Sequence, residues 1–234
     1  MTLKALPLLA LVTALGVGCN GRSAENPPKA AGPAGVHEHS TGSEHGFPDP
    51  QTYADRLDDP GRDDWQMPEV VVERLGCRPG MTVVDLGAGT GYFVGYLSEA
   101  VGRRGRVLAL DTDRSMVDRM DERIERDGLG NVKAGVIGAD DPGLAPGSVD
   151  RILIVNTWHH ISNRVAYAEK LLASLGRGGL LLIVDFTIES PHGPPPQMRL
   201  TDDTVRRELE AAGFATELLE QPLPYQYIVA GRLP

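Results

Sequence analysis

The stretch VVDLGAGTGY at residues 83–92 joins a short apolar run to three closely spaced glycines. The apolar residues before Asp85 are typical of a buried strand, whereas Gly87, Gly89 and Gly91 let the backbone turn sharply and approach a ligand closely. A helix that begins directly after such a turn offers free N–H groups and the positive end of its dipole. The stretch therefore predicts a strand, a ligand-binding loop and a helix, in that order.

Strand-like and helical segments alternate on both sides of this loop. Helices are predicted at residues 68–75, 92–101, 114–126, 164–175 and from Thr201 to Gly213. Strands are predicted for short apolar runs at residues 81–86, 106–110, 132–137, 151–156, 180–186, 216–219 and 227–230. Because the first five strands alternate with helices and are apolar throughout, they should lie parallel, with helices on both faces of the sheet. The prediction is a doubly wound α/β fold with a mostly parallel, seven-stranded sheet and an antiparallel C-terminal hairpin.

Composition and charge argue against several classes of protein. The hydrophobic fraction of 41% and the charged fraction of 24% are those of an ordinary globular chain. The net charge of -9 repels phosphate backbones, so we expect no nucleic-acid partner. The two cysteines, Cys19 and Cys77, lack the spacing of a structural zinc site, so we expect no metal in the folded domain.

The N-terminal residues 1–19, MTLKALPLLALVTALGVGC, have the features of an export signal. Lys4 precedes an apolar core that is too short to span a bilayer comfortably, and small residues follow that core. The last five residues, LGVGC, resemble a bacterial lipobox, in which the cysteine becomes lipidated, although Gly16 stands where Leu or Val is usual. We therefore expect a signal peptide that ends at a lipidated Cys19.

Residues 20–50 are rich in Gly, Pro, Ser and charged residues and contain almost no large apolar side chain. Such a stretch cannot bury enough surface to offset its conformational entropy, so we expect a disordered linker ahead of one domain at residues 51–234. His37, His39 and His45 lie in this linker, where both weak metal capture and a plain His-rich tether fit the pattern.

The residues around the glycines distinguish three kinds of loop. The spacing is Gly-x-Gly-x-Gly, and Tyr92 occupies the place of the third glycine in a dinucleotide-binding Gly-x-Gly-x-x-Gly loop. No Gly-Lys-Ser/Thr sequence follows, which argues against a loop for nucleoside triphosphates. Asp85, directly before the loop, would repel a phosphate but attract a ligand with a cationic amino group.

The stretch VVDLGAGTGYF resembles the first motif of the class I methyltransferases. This resemblance implies that the loop and its neighbours hold the methionine part of S-adenosylmethionine, through Asp85, Gly87, Gly89, Gly91 and Tyr92. It extends over nearly the whole predicted domain.

The resemblance includes an entry segment, RLDDPGRDDWQMP at residues 56–68, which is similar to a group of small bacterial methyltransferases of unassigned substrate. In related folds such a segment closes over the cofactor. Trp65 and Gln66 are therefore expected lid residues, with simple packing at a helix start as the alternative.

Two further strand ends carry residues that the resemblance connects with adenosine. Asp111 follows the loop by some twenty residues and is placed to accept hydrogen bonds from both ribose hydroxyls, as an acid does in nicotinamide enzymes too. The resemblance places Thr112 and Met116 near the adenine, although helix core is the alternative for Met116. Asp140, or else its neighbour Asp141, follows the third strand, where an acid either accepts from the adenine amino group or simply forms a turn.

The end of the fourth strand is expected to face the transferred methyl group. Asn156 and Thr157 are predicted to line the methionine carboxylate or the sulfonium. His159 and His160 are adjacent and should point in different directions, so that one acts as a general base or orients the acceptor while the other packs. The Pro-rich loop at residues 187–199 is expected to cover the acceptor.

The resemblance implies an S-adenosylmethionine-dependent methyltransferase, and the absence of a basic surface in the sequence favours a small-molecule acceptor. The cofactor activates its own methyl group, so the protein mainly has to hold the acceptor in line and exclude water. Two alternatives stay open. One is a non-catalytic lipoprotein that binds S-adenosylmethionine or S-adenosylhomocysteine, and the other is a nicotinamide-dependent oxidoreductase, which Asp85 and the glycine spacing disfavour.

The export signal favours a membrane-anchored lipoprotein that faces the periplasm or the cell exterior, whereas synthesis of the cofactor in the cytoplasm favours a cytoplasmic location. Cell fractionation combined with mass measurement tests the first hypothesis. A lipidated chain should appear in the membrane fraction with the mass of a protein that begins at a modified Cys19. A chain with an unmodified Met1 in the soluble fraction would rule export out.

Overall fold

The computed structural model describes residues 54–55 and 57–234. The predicted signal peptide with Cys19, the predicted linker and its three histidines lie outside this part of the chain. Within the described residues, no helix is both long enough and apolar enough to cross a membrane.

Helices and strands alternate along the described chain. Helices α1 to α6 span Asp63–Gln66, Pro68–Leu75, Val94–Val101, Arg114–Arg126, Arg164–Ser174 and Asp202–Ala211. Strands β1 to β7 span Thr82–Leu86, Arg106–Asp111, Val132–Val136, Val149–Val155, Leu175–Phe186, Ala215–Leu219 and Gln226–Arg232. Short 3-10 turns lie at Pro60–Arg62, Trp158–His160 and Pro196–Met198.

The strands form one sheet in the order β3-β2-β1-β4-β5-β7-β6. Strands β1 to β5 pair in parallel, and β7 runs antiparallel to both β5 and β6. This arrangement confirms the predicted doubly wound fold with its C-terminal hairpin. The strand order reverses between β1 and β4, and in such sheets ligands bind beyond the carboxyl ends of the strands at this point.

Apolar side chains cover both faces of the sheet, as the apolar strands predicted. Side chains of β4 alternate, so that Leu153 belongs to the core cluster on one face while Ile152 and Ile154 belong to the cluster on the other. Helices α2, α3 and α4 pack on the first face, and α5 and α6 pack on the second. The two cores hold β1 and β4 rigidly, and their carboxyl ends are therefore fixed supports for side chains.

Local sequence determines where several helices begin. The Asp113 side chain accepts a hydrogen bond from the Ser115 N–H (2.7 Å) and caps α4, as its position predicted. Thr201 caps α6 in the same way, by accepting from the Thr204 N–H (3.2 Å). Helix α4 starts at the predicted residue 114, and α6 starts at Asp202, directly after the predicted signal at Thr201.

Several predicted boundaries differ from the structure, and two of these differences have a local cause. Helix α3 begins at Val94 and not at residue 92, because the turns of the glycine loop continue through Phe93. Strand β5 begins at Leu175 and not at residue 180. Its first residues pair irregularly with β4, where Gly178 has a φ of 75°, and such glycine-rich irregularities are not visible as an apolar run.

Candidate active site

The three glycines form a tight loop at the carboxyl end of β1. Gly87, Gly89 and Gly91 have φ angles of 73°, 57° and 82°, in the region that favours glycine. A Cβ atom at Gly87 would lie 2.3 Å from Thr157 Cγ2, and one at Gly89 would lie 2.8 Å from Leu57 Cδ1. Because Thr157 and Leu57 lie so close to the loop, no side chain fits at Gly87 or Gly89.

Asp85 brings a buried carboxylate to this loop. It is 2% exposed, and among the described residues none donates a hydrogen bond to its Oδ2 atom. Burial raises the pKa of this carboxyl from 3.8 to about 7; the nearby charge of Arg62 lowers it, and that of Asp111 raises it further. A buried oxygen without a partner is costly and rare, and a ligand that supplies a donor at this point explains it.

Asp111 joins the end of β2 to the glycine loop. Its carboxylate accepts hydrogen bonds from the Gly89 N–H (2.9 Å) and the Asp113 N–H (3.0 Å). Burial raises the pKa of Asp111, while these backbone donors lower it. The acid predicted to bind ribose thus stands beside the loop, and its contact with a ribose stays a prediction.

The other residues predicted near the adenine lie in different surroundings. Thr112 is exposed, whereas Met116 is buried on α4, as the helix-core alternative predicts. Asp140 is exposed, and its backbone carbonyl accepts a hydrogen bond from Lys170 Nζ (2.6 Å). Asp141 accepts from the Gly143 N–H (2.9 Å), so this aspartate stabilises the turn after β3.

The end of β4 is held by a ring of three side-chain amides. Gln66 donates to Gln226 (2.7 Å), Gln226 donates to Asn156 (2.7 Å), and Asn156 donates to Gln66 (3.3 Å). Gln66 and Gln226 are buried, and Asn156 has a left-handed φ of 55°. The ring connects α1, β4 and β7, and sequence reasoning gave no role to Gln226.

His159 and Asp185 form a buried pair at the ends of β4 and β5. His159 Nδ1 lies 2.9 Å from Asp185 Oδ2, and both side chains are 3% exposed. The Phe186 N–H also donates to Asp185 (2.9 Å), which fixes the carboxylate. His160 is exposed, and its ring centroid lies 4.2 Å from that of His159. The two histidines therefore differ in environment, although their rings lie against each other.

Asp185 was not singled out from the sequence. The available indication was its position at the end of the apolar run LLLIVDF, because β5 lies beside β4 in the sheet and the two strand ends meet.

Comparison with known proteins agrees with this geometry. The family described as "Methyltransferase domain" matches residues 83–179. The chain is 30% identical over 117 residues to the ubiquinone/menaquinone biosynthesis C-methyltransferase UbiE of Hydrogenovibrio crunogenus, and 32% identical to that of Shewanella pealeana. These matches cover 50% of this chain and 46% and 47% of the relatives, so the chain spans about half the length of the curated relatives it matches.

A crystal structure of a SAM dependent methyltransferase from Aquifex aeolicus is similar over a much larger share of both chains. It is 32% identical, with a TM-score of 0.75, and the match covers 80% of this chain and 99% of that chain. The chain belongs to the S-adenosylmethionine-dependent methyltransferases. The [4+2]-cyclase SpnF shares the fold with a TM-score of 0.61 at 15% identity, which illustrates that this fold alone does not determine the reaction.

The methyltransferase has side chains that fit S-adenosylmethionine, the cofactor of this family. The unpartnered Oδ2 of buried Asp85 suits the α-ammonium group at the methionine end. Asp111, which already contacts the loop, suits the ribose hydroxyls. The close approach at Gly87 and Gly89 lets a ligand lie directly against the backbone.

Residues 57–66 of the methyltransferase, which we call the lid segment, lie on the glycine loop. Asp58 Oδ1 accepts hydrogen bonds from Thr90 Oγ1 (2.8 Å) and from Arg123 (2.6 Å). The Arg62 guanidinium carbon lies 3.9 Å from the centroid of the Tyr92 ring. Tyr92 in turn donates its hydroxyl to Asp63. These contacts place the segment beside the glycine loop, and its closing over a cofactor stays a prediction.

The Pro-rich loop 187–199 of the methyltransferase is organised by one arginine. The Arg199 guanidinium donates to the backbone carbonyls of Thr187, Ile188, Ser190, His192 and Pro194, at 2.7 to 3.2 Å. The His192 ring stacks on Trp65 of the lid segment, with centroids 4.8 Å apart and planes at 10°. The predicted cover loop and the predicted lid residue therefore touch.

We predict that Gly87→Ala destabilises the methyltransferase by about 2–4 kcal/mol, because a left-handed backbone and a clash with Thr157 are imposed together. Denaturation by urea measures this change. The matched control is Gly95→Ala in α3, where nothing lies within 4 Å of the added Cβ and the backbone is helical. It should be neutral or stabilising by about 0.5–1 kcal/mol. Equal stability of the two variants would contradict the close approach at Gly87.

The burial of Asp85 predicts a pH dependence of stability in the ligand-free protein. Its pKa is about 7 in the folded chain and 3.8 in the unfolded reference, so between these values the folded state retains a proton that the unfolded state has lost. The burial of Asp85 therefore lowers the free energy of unfolding as the pH rises from about 4 to about 7, by at most about 1.4 kcal/mol per pH unit. Above a pH of about 7 it lowers the free energy of unfolding no further. The free energy of unfolding of the wild type, minus that of Asp85→Asn, should fall across this window. A difference that is independent of pH would contradict the burial of this carboxyl.

Proposed function

We propose that the protein transfers the methyl group of S-adenosylmethionine to a small-molecule acceptor bound beyond the carboxyl ends of β4 and β5. The observation that carries this proposal is the buried, unpartnered carboxylate oxygen of Asp85 beside the glycine loop. A cationic α-ammonium group satisfies that oxygen, whereas a dinucleotide would bring phosphate groups to the loop.

The residues at the strand ends would hold the two parts of the cofactor. Asp85, Tyr92 and the three glycines would bind the methionine end, and Asp111 would bind the ribose. Thr112, Met116 and Asp140 would lie near the adenine, and Asn156 near the sulfonium. S-adenosylmethionine supplies an activated methyl group when it is bound, because a sulfonium is a good leaving group.

The pair formed by His159 and Asp185 supports the proposed removal of a proton from the acceptor. Asp185 contacts Nδ1, so the ring nitrogen left to receive a proton from an acceptor is Nε2. A carboxylate in this position orients the imidazole and stabilises the imidazolium form. His159 therefore acts as the general base, Asp185 positions it, and the exposed His160 contacts the acceptor from the side.

The two covering segments explain how water would be excluded from the acceptor. The lid segment and the cover loop 187–199 meet through Trp65 and His192, and Trp65 also lies 5.9 Å from the ring of Phe186 at the end of β5. Phe186 directly follows Asp185, so these rings surround the same end of the sheet as the His159 pair. We expect a small-molecule acceptor there, because the sequence carries no basic surface that would bind a nucleic acid.

Calorimetric titration of the full chain with S-adenosylhomocysteine, and separately with NAD, tests the proposal. S-adenosylhomocysteine should bind and NAD should not. Asp85→Ala should weaken S-adenosylhomocysteine at least about tenfold, the effect of losing one charge-assisted hydrogen bond. The matched control is Asp150→Ala, which removes a carboxylate that accepts from the Thr82 N–H (2.8 Å) at the opposite end of the sheet. Asp150→Ala should bind S-adenosylhomocysteine with the same affinity as the wild type.

Other outcomes separate the alternatives. Tight binding of NAD would overturn the assignment in favour of an oxidoreductase. Binding of S-adenosylhomocysteine without methyl transfer to any of a panel of small hydroxyl, amine, thiol and carbon-acid compounds would favour a non-catalytic binding protein. Turnover that His159→Gln abolishes, while S-adenosylhomocysteine affinity is retained, would support the general base.

A further inference from the structure

Several arginines lie at the end of the sheet opposite the candidate active site, where strands β1 to β6 begin and β7 ends. Arg151 of β4 and Arg232 of β7 both pair with Leu180 of β5. Arg106 of β2 lies one row nearer to the end of the sheet. From β2 to β7 this row of arginines crosses neighbouring strands over a width of about 20 Å.

Turns at the same end add more arginines. They precede β1 and β2 or lie in the irregular first residues of β5. We call the exposed arginines of this end the basic face, and they are Arg78, Arg103, Arg104, Arg106, Arg177 and Arg232. Because these residues are far apart in the sequence, only the fold assembles a basic surface from them. It is remote from the proposed acceptor.

The basic face has no anionic partner within the described part of the chain. No carboxylate there forms an ion pair with any of its six arginines. Asp150, beside Arg151, accepts from the Thr82 N–H (2.8 Å), and Asp127 pairs with Arg126 (2.8 Å). The sequence contains 32 acidic residues against 23 lysines and arginines, so a shortage of carboxylates does not explain the unpaired arginines.

The arginines are close enough to repel one another. Burial lowers the pKa of Arg151, and the charges of Arg78 and Arg232 lower it further. The carboxyl ends of α2 and α3 attract cations and favour arginines in the turns that follow them. Arg177 and Arg232 lie on strands and gain nothing from a helix end. An anion from outside the described chain would relieve this repulsion.

The shape of the basic face favours a planar partner over a nucleic acid. The face consists of strand ends and of turns that are at most six residues long, with no helix or hairpin that could enter a groove. Among the described residues of these turns, the one aromatic side chain is Phe214, which is buried and cannot stack on a base. A membrane with anionic lipids presents its negative charge in a plane, which suits a face about 20 Å wide.

We propose that the basic face binds the surface of a membrane that contains anionic phospholipids. The net charge of -9 repels such a surface from the other sides of the protein, so this end alone approaches it. Binding in this orientation directs the carboxyl ends of the parallel strands, and with them the candidate active site, away from the bilayer. The proposal concerns a separate surface and does not depend on methyl transfer.

Sedimentation of the full chain with lipid vesicles tests the proposal. One set of vesicles contains phosphatidylcholine alone, and the other contains phosphatidylcholine and phosphatidylglycerol at a ratio of about 2:1. At about 0.1 M NaCl the wild type should bind the anionic vesicles at least about tenfold more tightly, and most of this difference should disappear at about 1 M NaCl, where charges are screened within a few ångströms. The apolar N-terminal stretch is present in every variant, so comparison between variants isolates the basic face.

Arg103→Gln combined with Arg104→Gln removes two charges from the turn before β2. It should weaken binding to the anionic vesicles about 10- to 30-fold, since one arginine near such a surface contributes about fivefold. The matched control is Arg114→Gln combined with Arg207→Gln, which changes the net charge equally but removes exposed arginines of α4 and α6. Its affinity for the anionic vesicles should stay within about threefold of the wild type.

Thermal unfolding shows whether each variant folds. If the variant at Arg103 and Arg104 does not fold, Arg78→Gln combined with Arg177→Gln replaces it, with the same expectation. Equal binding of the wild type to both kinds of vesicle would overturn the proposal. An equal loss of binding in the basic-face variant and in the matched control would also overturn it, because net charge alone would then act.

A DNA duplex of about 20 base pairs tests the other class of polyanion. The wild type should bind this duplex more weakly than the anionic vesicles at the same concentration of accessible phosphate. If it binds the duplex more tightly, and the basic-face variant loses that binding, the face is a nucleic-acid site and the membrane proposal is wrong.

Discussion

The burial of one carboxylate, at the end of β1, is the constraint around which the site is arranged. Asp85 lies between β2 and β4 in the sheet, opposite Ala109 and Leu153, so it cannot turn to solvent without breaking the parallel register. The free energy of holding an unpartnered buried oxygen is on the order of 1–3 kcal/mol, and the apolar cores on both faces of the sheet offset it. The sheet thus keeps a carboxyl group in a place where either a proton or a ligand of opposite charge has to neutralise it.

The segments that cover the site consist of short helical turns and loops and are held by polar side chains. The lid segment is fixed by Asp58, by the stacking of Arg62 on Tyr92 and by the amide ring through Gln66. In the cover loop, Arg199 supplies the donors that a strand neighbour would otherwise supply to the backbone carbonyls.

The amide ring shows how strain is tolerated beside the site. A left-handed backbone at a residue other than glycine costs about 1–3 kcal/mol, and Asn156 adopts it at the end of β4. Its side chain is held by one hydrogen bond from Gln226 and one to Gln66. The strained turn directs the chain into Thr157, whose hydroxyl contacts the Gly87 carbonyl (3.3 Å), and then towards the His159 and Asp185 pair.

The sequence by itself determined the strand, loop and helix around Asp85, the order of the elements, the caps at Asp113 and Thr201, and the family. These features depend on neighbours within a few residues, where apolar periodicity and capping act. Only the tertiary structure decided that Gln226 meets Gln66, 160 positions away, that Asp185 meets His159, and that Arg62 lies over the ring of Tyr92. Such contacts depend on which strand ends become neighbours and on where a covering segment lies. Neither can be predicted from residues that are close together in the sequence.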